Sequence, residues 1–105
     1  MNEKTIDVSK DFSQYPAGRY KSDGLYSGEA FREMISAALR ENDRVTILLD
    51  NVTGFAASFL EEAFGGLLRE GFTLEEINQK MRLKADGYNK VYIPKINLYL
   101  REAAN

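Results

Sequence analysis

Val45-Thr46-Ile47-Leu48-Leu49-Asp50-Asn51-Val52-Thr53-Gly54-Phe55-Ala56-Ala57-Ser58-Phe59-Leu60-Glu61 is the stretch on which the fold turns. Its first five residues are almost continuously apolar and rich in β-branched side chains, the pattern of a central strand covered on both faces. Asp50 closes that strand, and Asn51 to Phe55 carry turn chemistry. Ser58 and Glu61 stand three apart, the spacing of a capping box in which each side chain satisfies a backbone N–H at a helix start. Phe59, Leu60, Ala63, Phe64, Leu67 and Leu68 then form a broad apolar helical face. Gly65 and Gly66 interrupt it at a cost of about 1 kcal/mol each against alanine. A cost of that size implies close approach by another backbone.

Upstream, Ile6 and Val8 alternate with polar neighbours and predict a short strand. From Asp11 to Tyr26 the chain holds Pro16, Gly18, Gly24 and three tyrosines, and reads as a long loop or loose hairpin. Structureless loops longer than about 12–15 residues are uncommon in small domains and often functional. Ser27 is a plausible N-cap for a helix whose apolar positions are Phe31, Met34, Ile35, Ala38 and Leu39. Asn42 and Asp43 end it.

Downstream, Gly71 is a helix stop, and Thr73 with Glu76 repeats the capping-box spacing at the start of a short helix. Leu83 and Ala85 predict an edge strand, followed by an Asp86–Gly87 turn. A final helix begins between Asn89 and Pro94, because proline fits a first turn. The alternation of strands and helices points to an α/β fold with a small mixed sheet and helices packed against it. The 105 residues read as a single domain, 1–105.

Composition narrows the function. The chain has no histidine and no cysteine. Disulfides, thiolate catalysis, cysteine-based zinc sites and Ser-His-Asp chemistry are therefore excluded, and the commonest general base is absent. No enzyme, no metal and no cofactor is expected. A net charge of −2 argues against nonspecific nucleic-acid or anionic-membrane binding. No apolar run follows the first residues, and none approaches the ~20 residues a membrane helix needs. A cytoplasmic location is the expectation.

Two segments carry the candidate site. One runs from Gly18-Arg19-Tyr20-Lys21 through Ser27-Gly28 to Phe31-Arg32, and the other is Ser58-Phe59-Leu60-Glu61-Glu62-Ala63-Phe64-Gly65-Gly66. Together with Phe12 and Pro16, they resemble the bacterial family of STAS-like domains of unknown function. The resemblance implies a STAS-like fold. It also implies distant similarity to anti-sigma-factor antagonists, whose partner is a kinase-like ATPase that phosphorylates a serine at a helix start. Ser58 matches that position, flanked by Ala57 and Phe59 where the antagonists carry an acidic residue, a second serine and a glycine.

Ser58 thus has two readings, a structural cap and a phosphoacceptor. Arg19 and Lys21, with Arg32 and the Ser27–Gly28 helix start, could hold a small anion or nucleotide. Alternatively, Arg19 pairs with a carboxylate such as Glu62 or Asp50 and pins the loop. Glu61 and Glu62 are adjacent, about 100° apart on a helix, and do not form a ready acid/base pair. Tyr15, Tyr20 and Tyr26, with Arg19 and Lys21, could stack bases; the favoured reading is that they pack the loop down or join a protein interface, where tyrosine and arginine are enriched. The expected function is a regulatory or signalling module that binds a protein partner, either a kinase-like ATPase or a sigma-factor regulator. Its surface would be the Ser58 helix start and the Gly18–Arg32 loop, including Tyr20, Tyr26 and Glu62.

Overall fold

In a computed structural model describing residues 1–105, three strands lie side by side in chain order. They are β1 (Glu3–Asp7), β2 (Arg44–Leu48) and β3 (Met81–Lys84). Ile6 stands beside Ile47, and Ile47 beside Leu83, in two parallel pairings. The α/β class holds, but the sheet is parallel throughout, where a mixed sheet was expected. The connections explain this. Helices follow β1 and β2 and return the chain to the same end of the sheet, as a parallel neighbour requires.

Helix α1 (Gly28–Glu41) starts where the sequence places it, with the Ser27 hydroxyl accepting the Ala30 N–H at 3.2 Å. Helix α2 is one continuous rod over residues 57–70. Its α-helical ends, Ala57–Leu60 and Gly66–Glu70, flank π-turns at Glu61–Gly65. Helix α3 (Leu74–Lys80) carries the expected capping box, with both the Thr73 and Glu76 bonds made. A 3-10 turn (Tyr88–Val91) leads into α4 (Tyr92–Ala104), with Pro94 in its first turn.

The core lies between the sheet and the helices. Phe31 from α1 and Phe59 from α2 stack at 5.9 Å, and both are fully buried. Phe12, from a π-turn (Val8–Phe12) that follows β1, closes over them. Val45, Ile47 and Leu49 point into this core, whereas Thr46 and Leu48 between them stay half-buried. Strand β2 is therefore sealed on one face only. Its apolar run suggested cover on both, but Thr5 and Arg82, beside Thr46 in register, are exposed.

The close backbone approach expected at Gly65–Gly66 occurs elsewhere. A Cβ on Gly28 would lie 2.5 Å from the Phe59 carbonyl oxygen, so this glycine is where α1 meets α2. At Gly66 the neighbour is a side chain, with the Arg32 Cδ 2.7 Å from where a Cβ would stand. The glycine pair makes room for polar side chains, which locates the candidate site.

Candidate functional site

The start of α1 has no free N–H group to offer a ligand. Gly28 N–H donates to the Gly18 carbonyl and Glu29 N–H to the Arg19 carbonyl, both at 2.9 Å. Ala30 N–H goes to Ser27 Oγ, and Phe31 N–H to the Ser27 carbonyl. Ser27 itself is fully buried. The anion cradle expected at Ser27–Gly28 is thus filled by the chain's own loop. Lys21, expected to join it, instead pairs with Glu33 at 2.5 Å, while its N–H donates to Glu29.

Arg19 and Arg32 enter a seam of alternating charge between α1 and α2. Arg19 Nη1 reaches Glu61 at 2.5 Å and Glu62 at 3.6 Å. Arg32 Nη1 bonds Glu62, and its Nε stands 3.4 Å from Glu70. Arg69 holds Glu61 at 2.6 Å and Glu62 at 3.5 Å. Arg40 and the buried Ser36 hydroxyl both reach Glu70. Four arginines face three glutamates here, which leaves one positive charge in excess. Of the two partners anticipated for Arg19, Glu62 is in the seam but Glu61 is closer. Asp50 lies elsewhere, bound to the Asp86 and Gly87 N–H groups.

Glu61 and Glu62 share Arg19 and Arg69 although they are adjacent in sequence. The π-turns that contain both residues widen α2 there, and π-turns inside α-helices are frequent at functional sites. The Arg69 hydrogen bond, then that of Arg19, lowers the Glu61 carboxyl below its ordinary 4.5 against an opposing desolvation. Glu61 in turn raises the Arg19 guanidinium. Because the folded-state value is depressed, Glu61 adds stability above about pH 4.5, lost as pH falls through the folded value. Thermal unfolding followed from pH 7 to pH 3 should therefore show an acid loss that is shallower in Glu61→Gln. An unchanged acid limb in that variant would contradict the assignment.

Ser58 is not the cap that its spacing with Glu61 suggested. The cap position is Ala56, and no side chain bonds there. Phe55, docked in the core against Phe59 at 5.8 Å, draws the helix start back to Ala57. Glu61 is meanwhile held by the two arginines. Ser58 is left in the first turn, half-buried, with its hydroxyl making no cap bond. Glu61 and Glu62 follow it by one turn.

Around this seam the loop exposes Tyr15, Tyr20, Leu25 and Tyr26. Tyr26 rests edge-on against Phe12, so one side of its ring is packed and the other is wet. The structure thus brings Arg19, Arg32 and Glu62 into one network and leaves Tyr20, Lys21 and Tyr26 on the loop surface. Ser27 and Gly28 are scaffolding. Sequence reasoning missed Arg69, Glu70, Ser36 and Arg40. A signal for the last two was present, since Arg32, Ser36 and Arg40 recur every four residues along one stripe of α1.

A parallel three-stranded sheet layered with helices is an α/β architecture consistent with a STAS-like domain. The chain belongs to the family described as STAS-like domain of unknown function (DUF4325), whose model matches residues 27–87. That span holds α1, β2, α2 and β3, and so most of the seam. No curated protein and no solved structure matches the chain. No helix is long and apolar enough to cross a membrane.

Proposed function

We propose that this protein is a non-catalytic, cytoplasmic regulatory module that binds a protein partner through the Ser58 helix start and the Gly18–Arg32 loop. Phosphorylation of Ser58 switches that binding. The observation that carries the reading is the Ser58 hydroxyl, free of any cap bond in the first turn of a helix. A phosphate is tolerated there by the helix dipole. It would stand one turn before Glu61, on the same face, and compete for Arg19 within a seam of excess positive charge. Losing Arg19 from Glu61 would remove one of the ties on the loop that displays Tyr20 and Tyr26. Tyrosine-rich, arginine-anchored surfaces suit protein interfaces.

A non-catalytic role fits the same geometry. Glu61, Glu62 and Glu70 all face guanidinium groups, and the depressed Glu61 is a poor proton acceptor near neutral pH. A partner of the kinase-like ATPase or sigma-factor-regulator class is expected from the family resemblance.

The test is a pull-down from the native host's lysate with the wild-type chain, Ser58→Ala and Ser58→Asp as baits. Mass spectrometry would read both bait and captured protein. Wild type should retain such a partner and carry phosphate on Ser58, and Ser58→Asp should lose the partner at least tenfold, about 1.4 kcal/mol. Equal capture by all three baits, with no phosphate, would refute the switch.

A further inference from the structure

We propose that a groove at the carboxyl ends of β2 and β3 binds an alkyl-guanidinium or alkylammonium group. The groove is shallow and open, has a volume of about 470 Å³ and is lined by Asp50, Asn51, Val52, Gly87, Tyr88 and Asn89. Open parallel sheets present ligand sites at this end, where the strands run out and loops diverge. Ser58 is not among the lining residues, so the site is independent of the switch proposed above.

The chemistry of the guest follows from which polar groups are already used. Asn89 is only 7% exposed, and its amide nitrogen donates to the Leu49 carbonyl at 2.7 Å and the Val52 carbonyl at 3.0 Å. Those two bonds fix the amide's orientation, so its oxygen is the atom left over. That oxygen accepts from no protein group, and it is not among the sealed atoms. It is an acceptor with solvent access, pinned by its own nitrogen on a residue that lines the groove.

Asp50 supplies a second acceptor. Its two oxygens take the Asp86 and Gly87 N–H groups at 2.9 and 3.0 Å, which holds the carboxylate rigid. A carboxylate has about four lone-pair sites, so capacity remains on both oxygens. Those two N–H bonds, Asp86's first, also lower its pKa and keep it ionised at neutral pH. The Asp86 and Gly87 N–H groups and the Asn89 amide nitrogen are thus spent on the protein, and the one charge among the lining side chains is the fixed Asp50 carboxylate. A guest that brings donors and positive charge complements it. No three His, Cys, Asp or Glu side chains gather at the groove, and Asp50 is the single carboxylate in its lining.

Tyr88 completes the site. It lines the groove and is 79% exposed, with no aromatic neighbour in stacking or edge contact. A ring beside a carboxylate suits a planar guanidinium or an alkylammonium through cation–π attraction. Lys90 opposes the guest, since it lies close enough to Asp50 to help lower its pKa.

The proposal is tested by NMR on the full ¹⁵N-labelled chain at constant ionic strength. N-acetyl-arginine amide, N-acetyl-lysine amide, spermidine, calcium chloride and sodium phosphate are added in separate titrations. The cationic probes should produce saturable shifts at Asn51, Gly87 and the Asn89 side-chain amide. Stronger binding of the amino-acid amides assigns the site to a partner's arginine or lysine side chain, and stronger binding of spermidine assigns it to a free polyamine. Tyr88→Ala removes an exposed ring and should weaken binding about fivefold. Lys90→Gln should tighten it. Asp50→Asn would disturb the turn that Asp50 braces, so the test rests on the other two variants. No saturable shift up to about 10 mM, or shifts produced only by calcium or phosphate, would overturn the proposal.

Discussion

Glu62→Ala should destabilise the domain by about 3 kcal/mol, because it removes the anion that neutralises a nearly buried guanidinium. The Glu62 side chain is 9% exposed and that of Arg32 is 19% exposed. Arg32 would keep Glu70 alone, at 3.4 Å from its Nε and without good hydrogen-bond geometry. Arg19 and Arg69 would retain Glu61. For a chain of this length the melting temperature should fall by roughly 12–20 °C. The pair is expected to contribute more to the specificity of the seam than to net stability. Hence the double variant Arg32→Met/Glu62→Leu should recover most of the loss, since apolar replacement of a buried pair is often neutral. A double variant as unstable as Glu62→Ala would mean that the seam stabilises the fold outright. A Glu62→Ala loss below about 1 kcal/mol would mean that the pair behaves as if solvated.

Phe59→Ala is expected to be costlier, at about 4 kcal/mol, by the usual transfer and cavity terms for a buried aromatic. Phe59 is fully buried and touches Phe12, Phe31 and Phe55. It also sits at the α1–α2 crossing, where its carbonyl oxygen lies against Gly28. The effect should therefore reach beyond stability. Phe12 and Phe55 anchor the start of the loop and the start of α2, so both should loosen. Hydrogen exchange in Phe59→Ala should quicken at Gly28 and Glu29, whose N–H groups hold the loop carbonyls, before it quickens in β2. Denaturant unfolding gives the magnitude and exchange gives the location. A uniform increase across the chain would show that the loop and core unfold as one unit.

Most of the fold was legible in local patterns. The β-branched run at Val45–Leu49, the Ser27 cap and the Thr73–Glu76 box each became the element their residues implied. These signals act within a few residues of themselves, so the backbone obeys them wherever the chain goes next. The edge position of β3 and the first-turn place of Pro94 were readable for the same reason.

Choices between equally good local partners were decided only in the tertiary structure. Ser58 and Glu61 satisfy the capping-box spacing as well as Thr73 and Glu76 do, yet only the second pair forms the box. Arg69 and Arg19 hold Glu61 where a backbone N–H would have, and Phe55 moves the helix start. The parallel direction of every strand, the single covered face of β2 and the use of Gly66 as a bed for Arg32 likewise depend on how helices dock. Sequence by itself determined where most helices and strands lie, though not the π-turn that takes Val8 out of β1, and which residue chemistries are absent, because hydrophobic period and residue inventory are local properties. Tertiary structure decided which charges meet, which hydroxyl stays free and which carboxylate faces a groove, because those depend on distances between residues far apart in the chain.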